Sequence, residues 1–235
     1  MDRLVAFGCS NTYGEGLPDC WIDKNGDPSL TKSGTHGPKP SKFAWPRLIA
    51  DNLKRKCVNF AVPGASNKHI LDIILHTKFV KGDIVVIMWS YFDRWCVFQG
   101  LNRANWRGGA IQRFMPMDLQ KIGTGKLPPQ GTNLSKSLAY YEHIHNDVDA
   151  CYDSIVRMNM AKYHLDALGI KNYHVTCEGG YREKIPHFDW NRVNLYRVGT
   201  KSFFIDMARD SLHPGRGSHM VAARDIQDFM RKSSI

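Results

Sequence analysis

The sequence predicts an α/β fold of three layers, in which helices pack on both faces of a central parallel sheet. Short aliphatic runs alternate along the chain with segments of helical periodicity, an order that favours parallel strands joined by crossover helices. The run at 84–89 is apolar at nearly every position, as expected for a strand that is buried on both faces. Two of the runs end in glycine-containing turns that lead directly into predicted helices.

The elements are predicted from their periodicity and from the residues that end them. Strands are expected where short apolar runs are bounded by glycine, proline or charged residues, at 4–7, 57–62, 84–89 and 173–177. Helices are expected where apolar residues recur at helical spacing, at 42–56, after residue 67, at 135–168 and at 218–232. Residues 202–205 form either a short strand or a helical turn. The last helix is expected to bury Met220, Val221, Ile226 and Phe229.

The chain is interpreted as a single domain, 1–235, because no repeat or linker indicates a second one and 235 residues can enclose a substantial core. Three stretches rich in glycine, proline and polar residues are predicted to be loop insertions, at about 17–42, 99–135 and 178–200. The first either walls a functional site or is a tolerated insertion. The second forms either a substrate rim or a surface for partner docking.

The charge of the chain suggests two kinds of surface. Lysine and arginine outnumber aspartate and glutamate by 32 to 22, which gives a net charge of +10. Such a balance fits either an anionic partner or a solvated basic surface. The basic residues are dispersed and no nucleic-acid motif accompanies them, so the second interpretation is favoured and nucleic acid is not the expected partner. No apolar run approaches the length of a membrane span, which argues against a membrane protein.

The cysteines and histidines do not form a recognisable metal or disulfide pattern. The six cysteines lack CxxC pairing and several lie in apolar segments, which favours reduced, buried thiols. His143 and His145 are two residues apart on a predicted helix, so they point to different sides and make a poor metal pair. We therefore expect no metal and no other cofactor. The N-terminus enters a strand at once without the pattern of a signal peptide, which predicts cytoplasmic synthesis.

Ser10 lies in the turn that follows the first predicted strand, between Gly8 and Gly14. A serine at this point exposes its hydroxyl at the carboxyl edge of a parallel sheet, where open α/β folds bind their ligands. The alternative is that Ser10 only caps the helix that follows.

The second motif lies near the C-terminus, where Asp210 and His213 are three residues apart and Pro214 and Gly215 follow. This spacing allows a carboxylate and an imidazole to share one loop. A serine, an imidazole and an orienting carboxylate form a nucleophilic triad, whatever their order along the chain.

The pattern Gly-x-Ser-x-Thr-x-Gly at 8–14, together with Asp-x-x-His-Pro at 210–214, resembles the SGNH (GDSL-like) hydrolase family. The resemblance spans nearly the whole chain and implies the flavodoxin-like SGNH hydrolase fold. It also implies an ester substrate, with Ser10 as nucleophile, His213 as base and Asp210 as the carboxylate that orients the imidazole.

The resemblance also identifies candidates for the oxyanion hole. In this family, backbone N–H groups of the nucleophile and of a glycine after the second strand bind the oxyanion, and Ser10 and Gly64 match those positions. The family usually adds an asparagine from a Gly-x-Asn-Asp turn after the third strand, which is absent here. Ser90, Tyr91 and Asn67 remain as candidates for the missing donor, and the loss of one such donor costs roughly a hundred- to a thousandfold in rate.

Three functions follow from these observations. The leading hypothesis is a serine hydrolase of the SGNH type that cleaves a carboxylic ester through an acyl-enzyme. The resemblance implies acetyl esters on sugars, lipid esters or thioesters as substrates, and the basic balance and the aromatic loops slightly favour acyl groups, such as O-acetyl groups, on a polysaccharide. The second is a weakly active or inactive SGNH-fold module that binds glycans or serves as a structural component of a virion. The third, a nucleic-acid-binding protein, rests on charge alone. The stretch at 7–14, with Cys9 where the family often has aspartate, is similar to SGNH proteins encoded by bacteriophages, which allows a virion location and virion assembly partners.

Overall fold

A computed structural model describes residues 2–98, 111–114, 133–177, 180–190, 193–198 and 203–233. Its strands, in chain order, are β1 (Arg3–Phe7), β2 (Trp21–Ile22), β3 (Thr35–His36), β4 (Lys56–Asn59), β5 (Ile84–Trp89), β6 (Trp95–Phe98), β7 (Ile111–Phe114), β8 (Lys171–Thr176) and β9 (Leu195–Arg197). Its helices are α1 (Ser10–Tyr13), α2 (Trp45–Asn52), α3 (Asn67–His76), α4 (Asn133–His143), α5 (Asp147–Ala167), α6 (Gly180–Lys184) and α7 (Arg216–Lys232).

Five of the strands form a parallel sheet in the order β4-β1-β5-β8-β9. The chain leaves β1 for one neighbour, β4, and then crosses over to the other neighbour, β5. The strand order therefore reverses beside β1, and open α/β sheets bind ligands at the carboxyl ends of the strands at such a switch point. The turn that contains Ser10 follows β1 at this point.

Helices cover both faces of the sheet, which confirms the predicted three-layer α/β/α architecture. Alternate residues of β1 enter different cores, because successive side chains of a strand point to opposite faces. Val5 and Phe7 pack with residues of α3 and α5, whereas Leu4 and Ala6 pack with residues of α2 and α7. All four of these β1 side chains are fully buried.

The long helix predicted at 135–168 is instead two helices, α4 and α5. The side chain of Asn146 accepts hydrogen bonds from the backbone N–H groups of Val148 and Asp149, at 2.9 and 3.1 Å, and so caps a new helix. The expectation that Met220 faces inward is wrong, because this side chain is 61% exposed on α7. The described residues 203–205 form a turn.

The predicted insertions contain some regular structure. The stretch at 17–42 holds the antiparallel pair β2–β3, and the stretch at 178–200 contributes β9 to the central sheet. Most of the stretch at 99–135 lies outside the described residues. Of the helices that the structure describes, none combines the length and the apolar character needed to cross a membrane.

Candidate active site

The turn between β1 and α1 requires glycine and places Ser10 at the start of a short helix. A Cβ atom at Gly8 would lie 2.1 Å from Oγ1 of Thr12, so no larger residue fits there. The carbonyl of Cys9 accepts hydrogen bonds from the N–H groups of Thr12 and Tyr13, both at 3.0 Å, which closes the helical turn. Ser10 is 3% exposed.

Asp210 and His213 form a closely coupled pair on one loop, as their spacing predicts. Nδ1 of His213 lies 2.5 Å from Oδ2 of Asp210, and Oδ1 accepts hydrogen bonds from the N–H groups of Leu212 and His213 at 3.0 and 3.1 Å. Burial acts to raise the pKa of Asp210, but the hydrogen bonds from His213 and from these backbone groups outweigh it. The pKa of Asp210 therefore lies below its usual value, and the carboxylate stays ionised beside the imidazole.

The two ends of the chain meet at this loop. The N–H group of Arg209 donates a hydrogen bond of 3.0 Å to the carbonyl of Gly16. A Cβ atom at Gly16 would lie 2.7 Å from the carboxylate of Asp210, so the absence of a side chain allows this close approach. The structure thus brings the Asp210–His213 pair against the segment that follows Ser10.

Glu15 lies at this junction, and the sequence did not single it out. Its N–H group donates a hydrogen bond of 3.2 Å to the carbonyl of Ser10. One carboxylate oxygen lies 3.8 Å from Nε2 of His213, and the other lies 3.6 Å from Nδ1 of His36. Within the part of the chain that the structure describes, Ser10 and His213 share no hydrogen bond. The base nitrogen of the predicted triad therefore faces Glu15 in this state.

Gly64 lies in a turn beside the nucleophile. The N–H group of Val62 donates to the carbonyl of Gly8 at 3.0 Å, and the N–H group of Ala65 donates to the carbonyl of Val62 at 3.0 Å. Gly64 has a φ of +71°. This angle, together with the bond from Ala65 to Val62, is typical of a type II turn. The turn alone explains why position 64 is a glycine, so the presence of glycine there is not evidence for an oxyanion hole.

The amide of Asn67, one of the three candidates for the missing oxyanion donor, is bonded within the protein. Its Nδ2 atom lies within hydrogen-bonding distance of the carbonyl of Ser90, the hydroxyl of Ser154 and the hydroxyl of Tyr181, at 3.2, 3.0 and 2.8 Å. Its Oδ1 atom accepts from the N–H group of Ser90 at 2.8 Å. An amide nitrogen has two hydrogens, so these partners leave none for a substrate.

Ser90 and Tyr91 differ in their surroundings. Ser90 is fully buried, and its hydroxyl accepts a hydrogen bond of 3.2 Å from the guanidinium of Arg94. Tyr91 is only partly buried, and its ring lies 4.6 Å from the guanidinium of Arg94. Burial raises the pKa of Tyr91, so its hydroxyl stays protonated and can donate. Of the three alternatives, Tyr91 is the one whose side chain is not fully buried and whose hydroxyl remains able to donate.

The described residues contain no group of three or more histidine, cysteine, aspartate or glutamate side chains that could hold a metal ion. The chemistry available at this site is that of a hydroxyl, an imidazole, two carboxylates and a phenol. This set suits proton transfer and nucleophilic attack.

No family model matches the chain, and no curated protein matches it. Solved structures do. A phospholipase A1 from Streptomyces albidoflavus NA297 is 12% identical, with a TM-score of 0.50 over 96% of this chain and 98% of that chain. A carbohydrate esterase whose active site displays divergent catalytic and non-catalytic binding functions is 11% identical, with a TM-score of 0.52 over 98% of this chain and 65% of that chain.

A third match, a protein assigned to the G-D-S-L lipolytic family from Desulfitobacterium hafniense DCB-2, is 9% identical, with a TM-score of 0.49 over 97% of this chain and 98% of that chain. At these identities the likeness concerns the fold. The chain has the fold of the SGNH (GDSL) hydrolases.

Proposed function

We propose that the protein is a serine ester hydrolase in which Ser10 is the nucleophile, His213 the base and Asp210 the orienting carboxylate. One observation carries this proposal: the Asp210–His213 pair is fixed against the segment that follows Ser10, through the bond from Arg209 to Gly16. Both ends of the chain thereby contribute to one site at the switch point of the sheet. The likeness in fold to a carbohydrate esterase and a phospholipase supports the same reaction class.

In the proposed reaction, Oγ of Ser10 attacks the acyl carbon of an ester while Nε2 of His213 takes the hydroxyl proton. The alcohol leaves with that proton and an acyl-enzyme remains. Water then attacks the acyl carbon, with His213 again as the base, and the carboxylic acid is released. Proton transfer requires Nε2 within about 3 Å of Oγ, so these two atoms, which share no hydrogen bond in this structure, would have to approach each other.

The oxyanion of the tetrahedral intermediate would be bound by the backbone N–H groups of Ser10 and Gly64 and by the hydroxyl of Tyr91. No described residue accepts a hydrogen bond from either of these N–H groups, so both are available as donors. Donors fixed before the reaction stabilise the developing charge without reorganisation.

The substrate we first propose is an ester carried by a polysaccharide, because the chain has a net charge of +10 and one structural neighbour is a carbohydrate esterase. Acetylated glycans and p-nitrophenyl esters should be hydrolysed by the wild type. Ser10→Ala should abolish turnover and Asp210→Asn should lower kcat by about 10⁴-fold, since it favours the wrong imidazole tautomer. Unchanged turnover in Ser10→Ala would assign the chemistry to another residue.

A second candidate is a glycan-binding module of this fold, which could also serve in a virion. It is favoured by the buried position of Ser10, by the contact of Nε2 with Glu15 and by the absence of the usual family asparagine. The relevant assay is glycan binding by Ser10→Ala and by wild type. Equal binding by both, with no turnover of any ester by the wild type, would favour the module over the enzyme.

A further inference from the structure

Helix α5 is apolar on two opposite faces. Its inner face packs into the core beside α3 through Ile155, Met158 and Leu165, which are almost completely buried. Its outer face carries five large apolar side chains at intervals of three or four residues, a spacing that places them along one side of a helix. These side chains, which are 45% to 64% exposed, are named the α5 stripe: Val148, Tyr152, Val156, Met160 and Tyr163.

The α5 stripe is large enough to form a specific interface. A surface helix of a globular protein is usually polar on the side away from its core, whereas a helix that is apolar all round is usually covered on both sides. At these exposed fractions, the five side chains leave about 500 Å² accessible to solvent, an extent typical of functional apolar patches. Two copies packed face to face would bury about 1,000 Å² from these side chains alone, which reaches the size that a specific interface needs.

Two polar side chains beside the α5 stripe are placed as a symmetric dimer would require. Helical spacing puts Asp149 and His164 on the same flank of the stripe, near its two ends. Within the described part of the chain, neither side chain forms a hydrogen bond or an ion pair. The two positions lie seven and eight residues from Val156, the middle of the stripe. If two copies of α5 pack antiparallel about a two-fold axis beside Val156, the carboxylate of Asp149 in each copy therefore lies opposite the imidazole of His164 in the other.

We propose that the α5 stripe is the interface of a homodimer, in which the α5 helices of two copies pack antiparallel across a two-fold axis beside Val156. A membrane or a nucleic acid fits this face poorly, because α5 carries four aspartates against one lysine and one arginine, which an anionic surface would repel. On a chain with a net charge of +10, a locally acidic helix also reduces the repulsion between two copies. This inference goes beyond the proposed function and holds whether or not the protein hydrolyses esters.

Sedimentation equilibrium at micromolar concentrations tests the dimer. The wild type should have the mass of two chains. Val156→Asp should raise the dissociation constant at least about a hundredfold, because it places two carboxylates together beside the two-fold axis, and Met160→Asp should raise it at least about tenfold. Met220→Asp is the matched control, because Met220 is an exposed methionine on α7 that lies outside the stripe. Its dissociation constant should equal that of the wild type.

An exchange of charges tests the antiparallel arrangement. Asp149→Lys removes the carboxylate and His164→Glu opposes two acids, so each should raise the dissociation constant at least about fivefold. The double variant restores an attractive pair with the signs exchanged and should return to within about twofold of the wild type. A wild type that sediments as one chain, or a Val156→Asp protein that dimerises as tightly as the wild type, would overturn the inference. A double variant that dimerises no better than either single variant would overturn the antiparallel arrangement.

Discussion

His213 has a carboxylate at each of its ring nitrogens, and the two carboxylates have opposite consequences. Asp210 lies 2.5 Å from Nδ1 and, in the proposed reaction, would orient the imidazole as a base. Glu15 lies 3.8 Å from Nε2, the nitrogen that would receive the proton of Ser10 in the proposed reaction. Glu15 therefore competes with Ser10 for this nitrogen.

Removing the charge of Glu15 should make Ser10 more reactive. An ion pair of this partly exposed kind is worth about 0–1 kcal/mol, so Glu15→Gln should accelerate labelling of Ser10 by a fluorophosphonate by up to roughly fivefold. The rate is read from the time course of intact mass. Glu183→Gln, an exposed glutamate on α6, is the control and should react like the wild type. Slower labelling of Glu15→Gln would mean that Glu15 assists the base instead of competing for it.

The role of Tyr91 can be tested by removing one oxygen atom. Tyr91→Phe keeps the ring, which stacks at 4.6 Å against the guanidinium of Arg94, and removes the proposed third oxyanion donor. We expect kcat to fall roughly a hundred- to a thousandfold with little change in KM, because the contact forms chiefly in the transition state. Tyr152→Phe changes a half-exposed tyrosine on α5 and should leave kcat unchanged. Full kcat in Tyr91→Phe would show that the two backbone donors suffice.

At the scale of elements, Asn67 joins the start of α3 to the turn after β5, to α5 and to α6. Its amide contacts Ser90, Ser154 and Tyr181, all of them buried. This network fixes the turn that presents Tyr91. These bonds give Asn67 a structural role in this part of the molecule.

Asn67→Ala should reduce the free energy of unfolding by about 2–3 kcal/mol, since it leaves buried polar groups without partners. Asn159→Ala is a suitable comparison, because the side chain of Asn159 donates a single bond of 3.0 Å to the carbonyl of Ile155 in its own helix. Urea unfolding of both variants measures the difference. An equal decrease in the free energy of unfolding in the two variants would contradict the network assigned to Asn67.

Some elements could be predicted from the sequence because their signals are local. The aliphatic runs of β1 and β5 and the glycines around Ser10 specify strands and a tight turn without reference to the rest of the chain. The break between α4 and α5 also has a local signal, the capping side chain of Asn146, but the apolar periodicity continues across it. The strand β9 was missed because its three residues gain their stability from pairing with β8.

At the scale of the whole molecule, two buried histidines link stability to pH. His174 and His219 are almost completely buried, and burial lowers the pKa of each to about 3. Both stay neutral in the folded protein, whereas in the unfolded chain they take up protons near pH 6.5. Below pH 6.5 the unfolded state therefore binds more protons than the folded state. The contribution of these two histidines to the free energy of unfolding is complete above pH 6.5 and is lost as the pH falls towards 3.

Urea unfolding at pH 7 and pH 5 should therefore give a lower free energy of unfolding at pH 5, above the range in which most carboxylates titrate. His219→Gln removes one of the two groups and should show a smaller difference between the two pH values. A free energy of unfolding that is equal at pH 7 and pH 5, or higher at pH 5, would contradict this assignment.

The meeting of the chain ends also belongs to this scale. Ser10, Asp210 and His213 were predicted because the two motifs that contain them are recognisable in the sequence. Glu15 could not be predicted, because its contact with His213 depends on how the loop around Arg209 closes on Gly16.

The central claim is that Ser10 is a nucleophile activated by His213, and covalent labelling tests it most directly. Wild type treated with a fluorophosphonate should gain the mass of one adduct, located on the peptide that contains Ser10. Ser10→Ala should gain none, and His213→Ala should react slower by at least about a thousandfold. An adduct that persists in Ser10→Ala, or a wild type that remains unlabelled, would contradict the claim.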